Sequence, residues 1–382
     1  MPPSVAAAPS RSAADVADSE NPGGFAHIPA LDGIRGAAIL LVLVYHLLWS
    51  NPVTGSRILD FLQQIRGASY CGVNLFFALS GFLITSILLD TLDAPRYLQT
   101  FYARRSLRIF PLYFGSLLLL LLLTRPLHFV WSGWQYFYLT YTANLALWRT
   151  QVPLQLGFFN ISHFWSLQVE EQFYLLWPFV VYRVRQPLAL ARLSLVACAV
   201  ILGVRIFLVA MRSHPGFGYP YLPYAPTFSC ADNLLFGCAL CTLLRTHWRP
   251  AILRLAPRAF ALLAAALAVT FVFNRGFNWQ GKLFMPTLGF TLVGLTCATL
   301  IAMALRPHSI TQRLFRTSLL RFFGKYSYGL YVFHYSIEGA VSLPLRRLLA
   351  EHLHSKALAV VGDALVVGAL SVLAALLSYH LF

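Results

Sequence analysis

The amino-acid sequence predicts an all-α protein, built as a polytopic bundle of about ten membrane-spanning helices. Hydrophobic residues make up 58% of the 382 residues, and charged residues only 11%. Together with a mean hydropathy of +0.66, this composition excludes an ordinary soluble domain. The net charge of +16 comes mostly from Lys and Arg between apolar segments, as in cytoplasmic loops, so we expect no nucleic-acid partner.

Apolar windows long enough to cross a bilayer recur along the chain. The predicted spans lie near residues 33–49, 70–90, 107–124, 164–182, 193–211, 229–245, 258–273, 287–305, 325–343 and 358–381. The aromatic segment 131–148 is interrupted by Asn144, so it is either a further crossing or an interfacial or re-entrant piece. If it does not cross, the distribution of Lys and Arg favours two cytoplasmic termini. We expect an integral protein of a bacterial inner membrane.

The chain divides into a tail at residues 1–28 and a transmembrane domain at residues 29–382. The tail is rich in Ala, Ser and Pro and lacks the apolar core of a secretory signal, which predicts disordered cytoplasmic chain. The six cysteines lie in or near apolar segments and are interpreted as small hydrophobic residues. Cys238 and Cys241 form a C-x-x-C pair without a second pair or a suitably spaced histidine, so no metal is expected.

Arg35 and His46 are the most informative pair in the first apolar segment. They are eleven residues apart, so on a helix they share a face and lie about 16 Å apart along the axis. In the favoured orientation Arg35 lies near the cytoplasmic face and His46 toward the outer leaflet. Ionisable residues inside a span usually face a protein interior and mark a functional path. The alternative is that Arg35 anchors to lipid head groups and His46 only packs. Asp32 is either the helix N-cap or an ion-pair partner of Arg35.

A second polar cluster lies in HFWSLQVEEQFYLLWP, residues 163–178. Glu170 and Tyr174 are four residues apart and share a helix face, and His163 lies on nearly the same face. In the favoured topology Glu170 and His46 have a similar depth, so the carboxylate is expected to orient the imidazole. The alternative is that Glu170 and Glu171 face a solvated vestibule without a catalytic part.

A third cluster, FYARRSLRIFPLYF at residues 101–114, is basic and precedes a long apolar run. Arg105 and Arg108 share a helix face, which suits a phosphate-bearing ligand. Anchoring to anionic lipid is the alternative.

These segments resemble acyltransferase family 3, a family of integral membrane O-acyltransferases. The matching pieces are Leu31 to Arg35 with His46, GVNLFFALSGFL at 72–83, ARRSLRIFPLYF at 103–114, HFWSLQVEEQFYLLWP at 163–178, and FFGKYSYGLYVFH at 322–334. They occur in the family's order and run from residue 31 nearly to the end of the chain, so residues 29–382 are interpreted as an acyltransferase-3 domain.

The resemblance implies transfer of an acyl group, commonly acetyl, from cytoplasmic acyl-CoA to a hydroxyl of a sugar, a cell-surface glycan or a lipid-linked acceptor. It places the family's R-x10-H pair on Arg35 and His46, its R-x-x-R pair on Arg105 and Arg108, and its glutamate on Glu170. His46 is then the base that deprotonates the acceptor, and the arginines hold the CoA phosphates. Acyl-CoA is the donor substrate, with no bound cofactor. Direct transfer and an acyl-histidine intermediate are both open.

Three positions are weaker acceptor-binding candidates. Tyr174 and His334 are expected to face the acceptor, His334 together with Tyr328 and Tyr331. The alternative for His334 is a hydrogen-bonded core histidine. Asp232 lacks the arginine that relatives carry two positions earlier, where this chain has Cys230. We therefore expect it either to lack a partner or to pair with Arg205. The sequence stops at LSYHLF, where relatives sometimes continue into a fused soluble esterase-like domain, so any second acyl-handling step is expected to take place elsewhere.

Two other functions fit the same features. A carrier or flippase for a lipid-linked glycan would also line its path with intramembrane charges, although it needs no base at the depth of His46. An enzyme that acylates a small glycosylated metabolite would use the same site.

Overall fold

The structure is a computed structural model that describes residues 28–48, 57–128, 133, 135–150, 155–156, 158–214, 222–274, 276–277 and 282–381. The predicted tail therefore lies outside the described residues, apart from Ile28. Fifteen α-helices account for most of the described residues: α1 Pro29–Leu47, α2 Arg57–Ala68, α3 Cys71–Asp90, α4 Tyr97–Leu123, α5 Tyr136–Leu139, α6 Ala143–Thr150, α7 Trp165–Val184, α8 Pro187–Ala210, α9 Thr227–Cys230, α10 Asp232–Leu243, α11 Arg249–Phe273, α12 Phe290–Ala304, α13 Ile310–Phe315, α14 Ser318–Leu353 and α15 Lys356–Leu381.

Short irregular elements join some of these helices. Strands β1 Gln155–Leu156 and β2 Phe159–Asn160 form a small antiparallel hairpin. A 3₁₀ turn, Ser162–Phe164, leads into α7, and a π-helical turn, Met285–Gly289, leads into α12. The predicted all-α membrane fold is confirmed.

Every predicted span corresponds to a helix, but not every such helix meets the requirements of a membrane crossing by itself. Among the described residues, seven helical segments are long and apolar enough: Pro29–Leu47, Gln63–Asp90, Tyr97–Leu123, Pro187–Ser213, Arg249–Phe273, Met285–Ala304 and Lys356–Leu381. Three of these segments join a long helix to a neighbouring helix or helical turn. Helix α10 has only twelve residues, or about 18 Å, against about 30 Å of hydrocarbon. Ten crossings therefore stay a prediction, while seven candidate spans place the chain in the membrane.

Residues 135–150 form two short helices, α5 and α6, neither of which is long enough to cross. Tyr113 lies on α4, ten residues before that helix ends, and its hydroxyl donates to the backbone oxygen of Tyr138 at 2.8 Å. The Gln172 amide donates to the Tyr141 oxygen at 2.7 Å and to the Asn144 side chain at 2.9 Å. This segment therefore packs against α4 and α7, and its short helices favour the interfacial or re-entrant alternative over a further crossing.

The functional residues lie where α1 packs between α3 and α14. Close approach of α1 and α14 depends on two glycines. A Cβ on Gly36 would lie 1.8 Å from the Leu320 oxygen, and one on Gly324 would lie 1.9 Å from the Asp32 oxygen. Small residues at such crossings let helix backbones touch in a membrane. This contact places the Arg35 and His46 side chains against residues of other helices.

Candidate active site

A cavity of about 430 Å³ lies between α1, α3, α4, α7 and α14. Its polar lining consists mainly of Asp32, Arg35, Ser80, Arg105, Arg108 and Glu170. On α3 the lining runs from Val73 to Ile87, a distance of about 21 Å along the axis. The cavity is therefore long and largely apolar, with its arginines grouped near one end.

The structure brings together the three arginines that the sequence analysis selected. Arg35 pairs with Asp32 at 3.4 Å, with 23% of the Arg35 side chain exposed. The N-cap of α1 is Ile28, so of the two alternatives for Asp32 the ion pair is the one observed. Arg108 is exposed, and Arg105 lies with its guanidinium 3.9 Å from the centre of the Tyr174 ring, a cation–π contact. Arg35 and Arg108 are thus the more accessible cations of this group.

Glu170 belongs to the arginine end of the cavity. Its carboxylate faces the hydroxyls of Ser80 and Tyr174 and lies near Arg105 and Arg35, and the two hydroxyls are joined to each other at 2.6 Å. No hydrogen bond or ion pair between Glu170 and His46 is present among the described residues. The structure therefore differs from the expectation that Glu170 orients His46, because the two side chains point into different groups of residues.

His46 instead lies in a cluster of three histidines, which we call the histidine cluster: His46, His163 and His334. The ring centres of His46 and His334 are 5.0 Å apart, and those of His46 and His163 are 6.3 Å apart. Tyr335 packs against the His46 ring at 4.2 Å. His334 is fully buried and His163 is 3% exposed, whereas His46 is partly exposed.

Backbone carbonyls determine which nitrogens of these rings carry protons. His334 Nδ1 lies 2.9 Å from the oxygens of Leu330 and Tyr331, and His46 Nδ1 lies 3.0 Å from the Val42 oxygen. A carbonyl oxygen only accepts, so both Nδ1 atoms must be donors. In neutral rings both Nε2 atoms then hold a lone pair. Within the described part of the chain nothing hydrogen-bonds to Nε2 of His46, which leaves it able to accept a proton.

Tyr331 separates the cavity from the histidine cluster. Its side chain lines the cavity, and its hydroxyl bonds to Ser166 at 2.5 Å and donates to the His163 backbone oxygen at 2.9 Å. Its backbone oxygen accepts from His163 Nε2 at 2.8 Å. His334 follows Tyr331 by three residues, or about 5 Å along α14. The end of the cavity therefore lies one helical turn from the group that contacts His46.

The three weaker acceptor candidates lie in different environments. Tyr174 is 1% exposed, with its hydroxyl bonded to Ser80 and its ring covered by Arg105. Asp232 pairs with Arg205 at 2.7 Å, and both side chains are buried, so the Arg205 alternative is the one observed. In His334 both ring nitrogens have partners. These geometries leave acceptor binding by the three residues a prediction.

Sequence reasoning grouped Tyr331 with His334 but missed Ser166 and Tyr335, and it did not predict the contact between Tyr331 and Ser166. Ser166 follows His163 by three residues, the same interval as between Tyr331 and His334. This spacing is a signal that could have paired Ser166 with His163. Their contacts join α7 to α14, more than 160 positions apart, and no local pattern specifies such a pairing.

No group of three or more His, Cys, Asp or Glu residues in the described ranges could hold a metal ion. The histidine cluster lies within these ranges and does not form such a group. The expectation that the site works without a metal stays a prediction.

Comparison with known proteins identifies relatives over nearly the whole chain. The model of the acyltransferase domain matches residues 28–380. The peptidoglycan O-acetyltransferase OatA of Listeria monocytogenes is 27% identical over 335 residues, which cover 81% of this chain and 49% of the relative. A Bacillus subtilis protein named "Putative peptidoglycan O-acetyltransferase YrhL" is 30% identical over 343 residues, which cover 84% of this chain and 50% of the relative.

The chain spans about half the length of these curated relatives. No solved structure gives a significant match. The family match covers all of α1 to α14 and nearly all of α15, including every residue of the cavity and of the histidine cluster. The chain belongs to the family of acyltransferase domains.

Proposed function

We propose that this chain is an O-acyltransferase that moves an acyl group, most simply acetyl, from acyl-CoA to a hydroxyl of a cell-envelope carbohydrate. The observation that carries the proposal is one continuous arrangement. A long apolar cavity has accessible arginines at one end, and its other end lies one helical turn from His334, which contacts His46. Among the described residues no hydrogen bond engages Nε2 of His46, so that nitrogen can accept a proton. The names of the relatives support acetyl as the group and peptidoglycan as a candidate acceptor.

The donor fits the cavity by charge and by shape. Arg35, Arg105 and Arg108 outnumber the carboxylates of Asp32 and Glu170 among the lining residues, which favours the phosphates of a CoA nucleotide. The remaining lining is mostly apolar and extends about 21 Å along α3, which suits the extended pantetheine arm. The thioester would then lie near Phe76 and Tyr331, at the end opposite the arginines.

The reaction uses His46 Nε2 as a general base. As the acceptor oxygen attacks the thioester carbon, Nε2 takes the hydroxyl proton, an oxygen–carbon bond forms and the carbon–sulfur bond breaks. The departing thiolate takes the proton back from the imidazolium, which yields the ester and free CoA and restores His46. Direct transfer needs only this one histidine to be accessible, and His46 is the member of the histidine cluster that is partly exposed.

The membrane orientation proposed with this function has both termini in the cytoplasm. Arg35 then faces the compartment that supplies acyl-CoA, and His46 lies toward the side on which envelope glycans are built. A bacterial inner membrane meets both requirements.

The test is transfer of label from radioactive acetyl-CoA to lipid, glycan and soluble fractions in membranes that contain the protein. We expect wild type to label a carbohydrate fraction, and His46→Gln to lower the rate about 10²- to 10⁴-fold, the usual contribution of a general base. His352→Gln, which changes an exposed histidine on α14, is the matched control and should keep wild-type transfer.

Each other outcome contradicts a different part of the proposal. Wild-type transfer by His46→Gln would exclude His46 as the base. Label confined to a small soluble metabolite would replace the carbohydrate acceptor. Movement of a lipid-linked glycan across the membrane without any transfer of label would favour a carrier.

A further inference from the structure

We infer that His334 is a positioning residue for His46. Its Nε2 atom accepts a hydrogen bond from His46 Nδ1–H, and this hydrogen bond becomes stronger when His46 is charged. This inference rests on the proposed role of His46 as the base. It gives His334 a different role from the acceptor contact that its sequence position suggested.

The first step is the direction of the hydrogen bond between the two rings. His334 Nε2 and His46 Nδ1 are 3.2 Å apart. The oxygens of Leu330 and Tyr331, each 2.9 Å from His334 Nδ1, require a proton on that nitrogen. A neutral His334 therefore has no proton on Nε2, and it can only accept the Nδ1 proton of His46.

The opposite direction is disfavoured at both rings. A proton on His334 Nε2 would leave the Nδ1 lone pair facing two carbonyl oxygens. It would also direct the His46 Nδ1 lone pair at the Val42 oxygen. Unpaired acceptors facing each other inside a protein are costly, so these three carbonyls set one direction for the whole chain of hydrogen bonds.

The second step is the effect on the reaction. When His46 Nε2 takes the acceptor's proton, the ring gains a positive charge and its Nδ1–H becomes a stronger donor. Hydrogen bonds to charged groups are stronger than neutral ones, so His334 Nε2 contributes more in the charged state than in the resting state. An interaction of that kind accelerates the chemical step without tightening substrate binding.

The third step is rigidity, because His334 can hold His46 only if it is itself held. His334 is fully buried, and it packs against His163 at 5.0 Å between ring centres. His163 Nε2 donates to the Tyr331 oxygen at 2.8 Å, the same carbonyl that His334 contacts. The cluster thus fixes the His334 ring from two sides, as preorganised catalytic groups require.

The experiment compares His334→Gln, His334→Asn and His334→Leu. In Gln the side-chain oxygen reaches roughly the position of Nε2, whereas in Asn it reaches only that of Nδ1. We expect His334→Gln to keep most of the transfer rate, and His334→Asn and His334→Leu to lower kcat about 10- to 100-fold with little change in the KM of acetyl-CoA. Because Gln and Asn bury the same amide in place of the same ring, a general packing defect would lower both alike.

The proton position is measured separately, by ¹⁵N NMR of histidine-labelled protein, with His46→Gln used to assign the His46 signals. We expect His46 as the Nδ1–H tautomer in the wild type. In His334→Leu we expect the Nδ1–H proton signal of His46 to move upfield, because only the Val42 oxygen remains as its acceptor, and in His334→Gln we expect the signal to stay near its wild-type position. His352→Gln, which changes an exposed histidine of α14 outside the histidine cluster, should leave the His46 signal unchanged.

An Nε2–H tautomer of His46 in the wild type would overturn the inference, as would wild-type kcat in His334→Leu. The spectra do not depend on turnover. If the wild type transferred no acetyl group while the Nδ1–H signal of His46 still shifted in His334→Leu, the proposed function would fail and the positioning of His46 would stand.

Discussion

Helix α1 carries Arg35 near its start and His46 in its last turn, and the two side chains lie in opposite kinds of surroundings. The Arg35 side chain is 23% exposed and its ion pair with Asp32 is long at 3.4 Å, so a ligand can compete for it. His46 contacts a fully buried histidine whose ring nitrogens all have partners. Arg35, at one end of the helix, can exchange Asp32 for a ligand. His46, at the other end, keeps its contact with His334.

This difference separates binding from reaction along a single helix. A group that holds the phosphates of a substrate must release water or Asp32 and then release the product, which accessible arginines allow. A group that moves a proton must keep one tautomer and one orientation, and for His46 the Val42 carbonyl and the buried His334 ring provide both. We therefore expect changes at the arginine end to alter KM and changes at the histidine end to alter kcat.

The largest effect of the remaining tests is expected from Arg35→Gln. Loss of a charged hydrogen bond worth about 1.5–3 kcal/mol should raise the KM of acetyl-CoA about 10- to 100-fold and leave kcat nearly unchanged. Steady-state kinetics in nanodiscs would measure both constants. Arg104→Gln is the matched control, because Arg104 precedes Arg105 on α4 but is exposed and does not line the cavity. A fall in kcat at constant KM would contradict the division of α1 into two functional ends.

Glu170→Gln sharpens the comparison, since this residue was expected beside His46 and lies beside Arg105. We expect kcat to fall by less than about tenfold, and the main change to be in the KM of acetyl-CoA. The same kinetic assay measures it, with Glu351→Gln on the exposed end of α14 as the control for expression. A loss of 10²- to 10⁴-fold in kcat, like that expected for His46→Gln, would assign Glu170 to proton transfer after all.

The smallest effect on transfer is expected from Asp363→Asn. Arg346 donates to Asp363 at 2.5 Å and to the Leu47 oxygen at 3.2 Å, so this pair ties the end of α1 to α14 and α15. Loss of the charge on the buried Asp363 should lower stability by about 1–3 kcal/mol, with kcat kept within about threefold. Thermal unfolding followed by fluorescence would measure the change.

Asp93→Asn is the matched control for this variant. Asp93 pairs with Arg185 at an exposed site, where its side chain is 85% accessible, and exposed ion pairs contribute little to stability. Equal unfolding temperatures for the two variants would show that the Arg346 pair does not hold the end of α1.

By itself, the sequence determined that the chain is helical, lies in a membrane and belongs to its family. Composition and apolar windows depend only on local residue content, and the motif pieces around Arg35, His46, Arg105 and Glu170 occur in a fixed order. Their spacing also placed Arg35 and His46 on one face of one helix, since helical periodicity is a property of the local backbone.

Only the tertiary structure decided which helices meet. Spacing within α1 and α7 made a contact between His46 and Glu170 reasonable, yet the rotation and depth of each helix depend on packing at glycines such as Gly36 and Gly324. That packing brings His334 of α14, 288 residues away in sequence, to His46. It directs Glu170 to Arg105 instead. A local sequence pattern does not specify contacts between residues so far apart in the chain. For this reason only the folded structure identified His334 as the partner of His46.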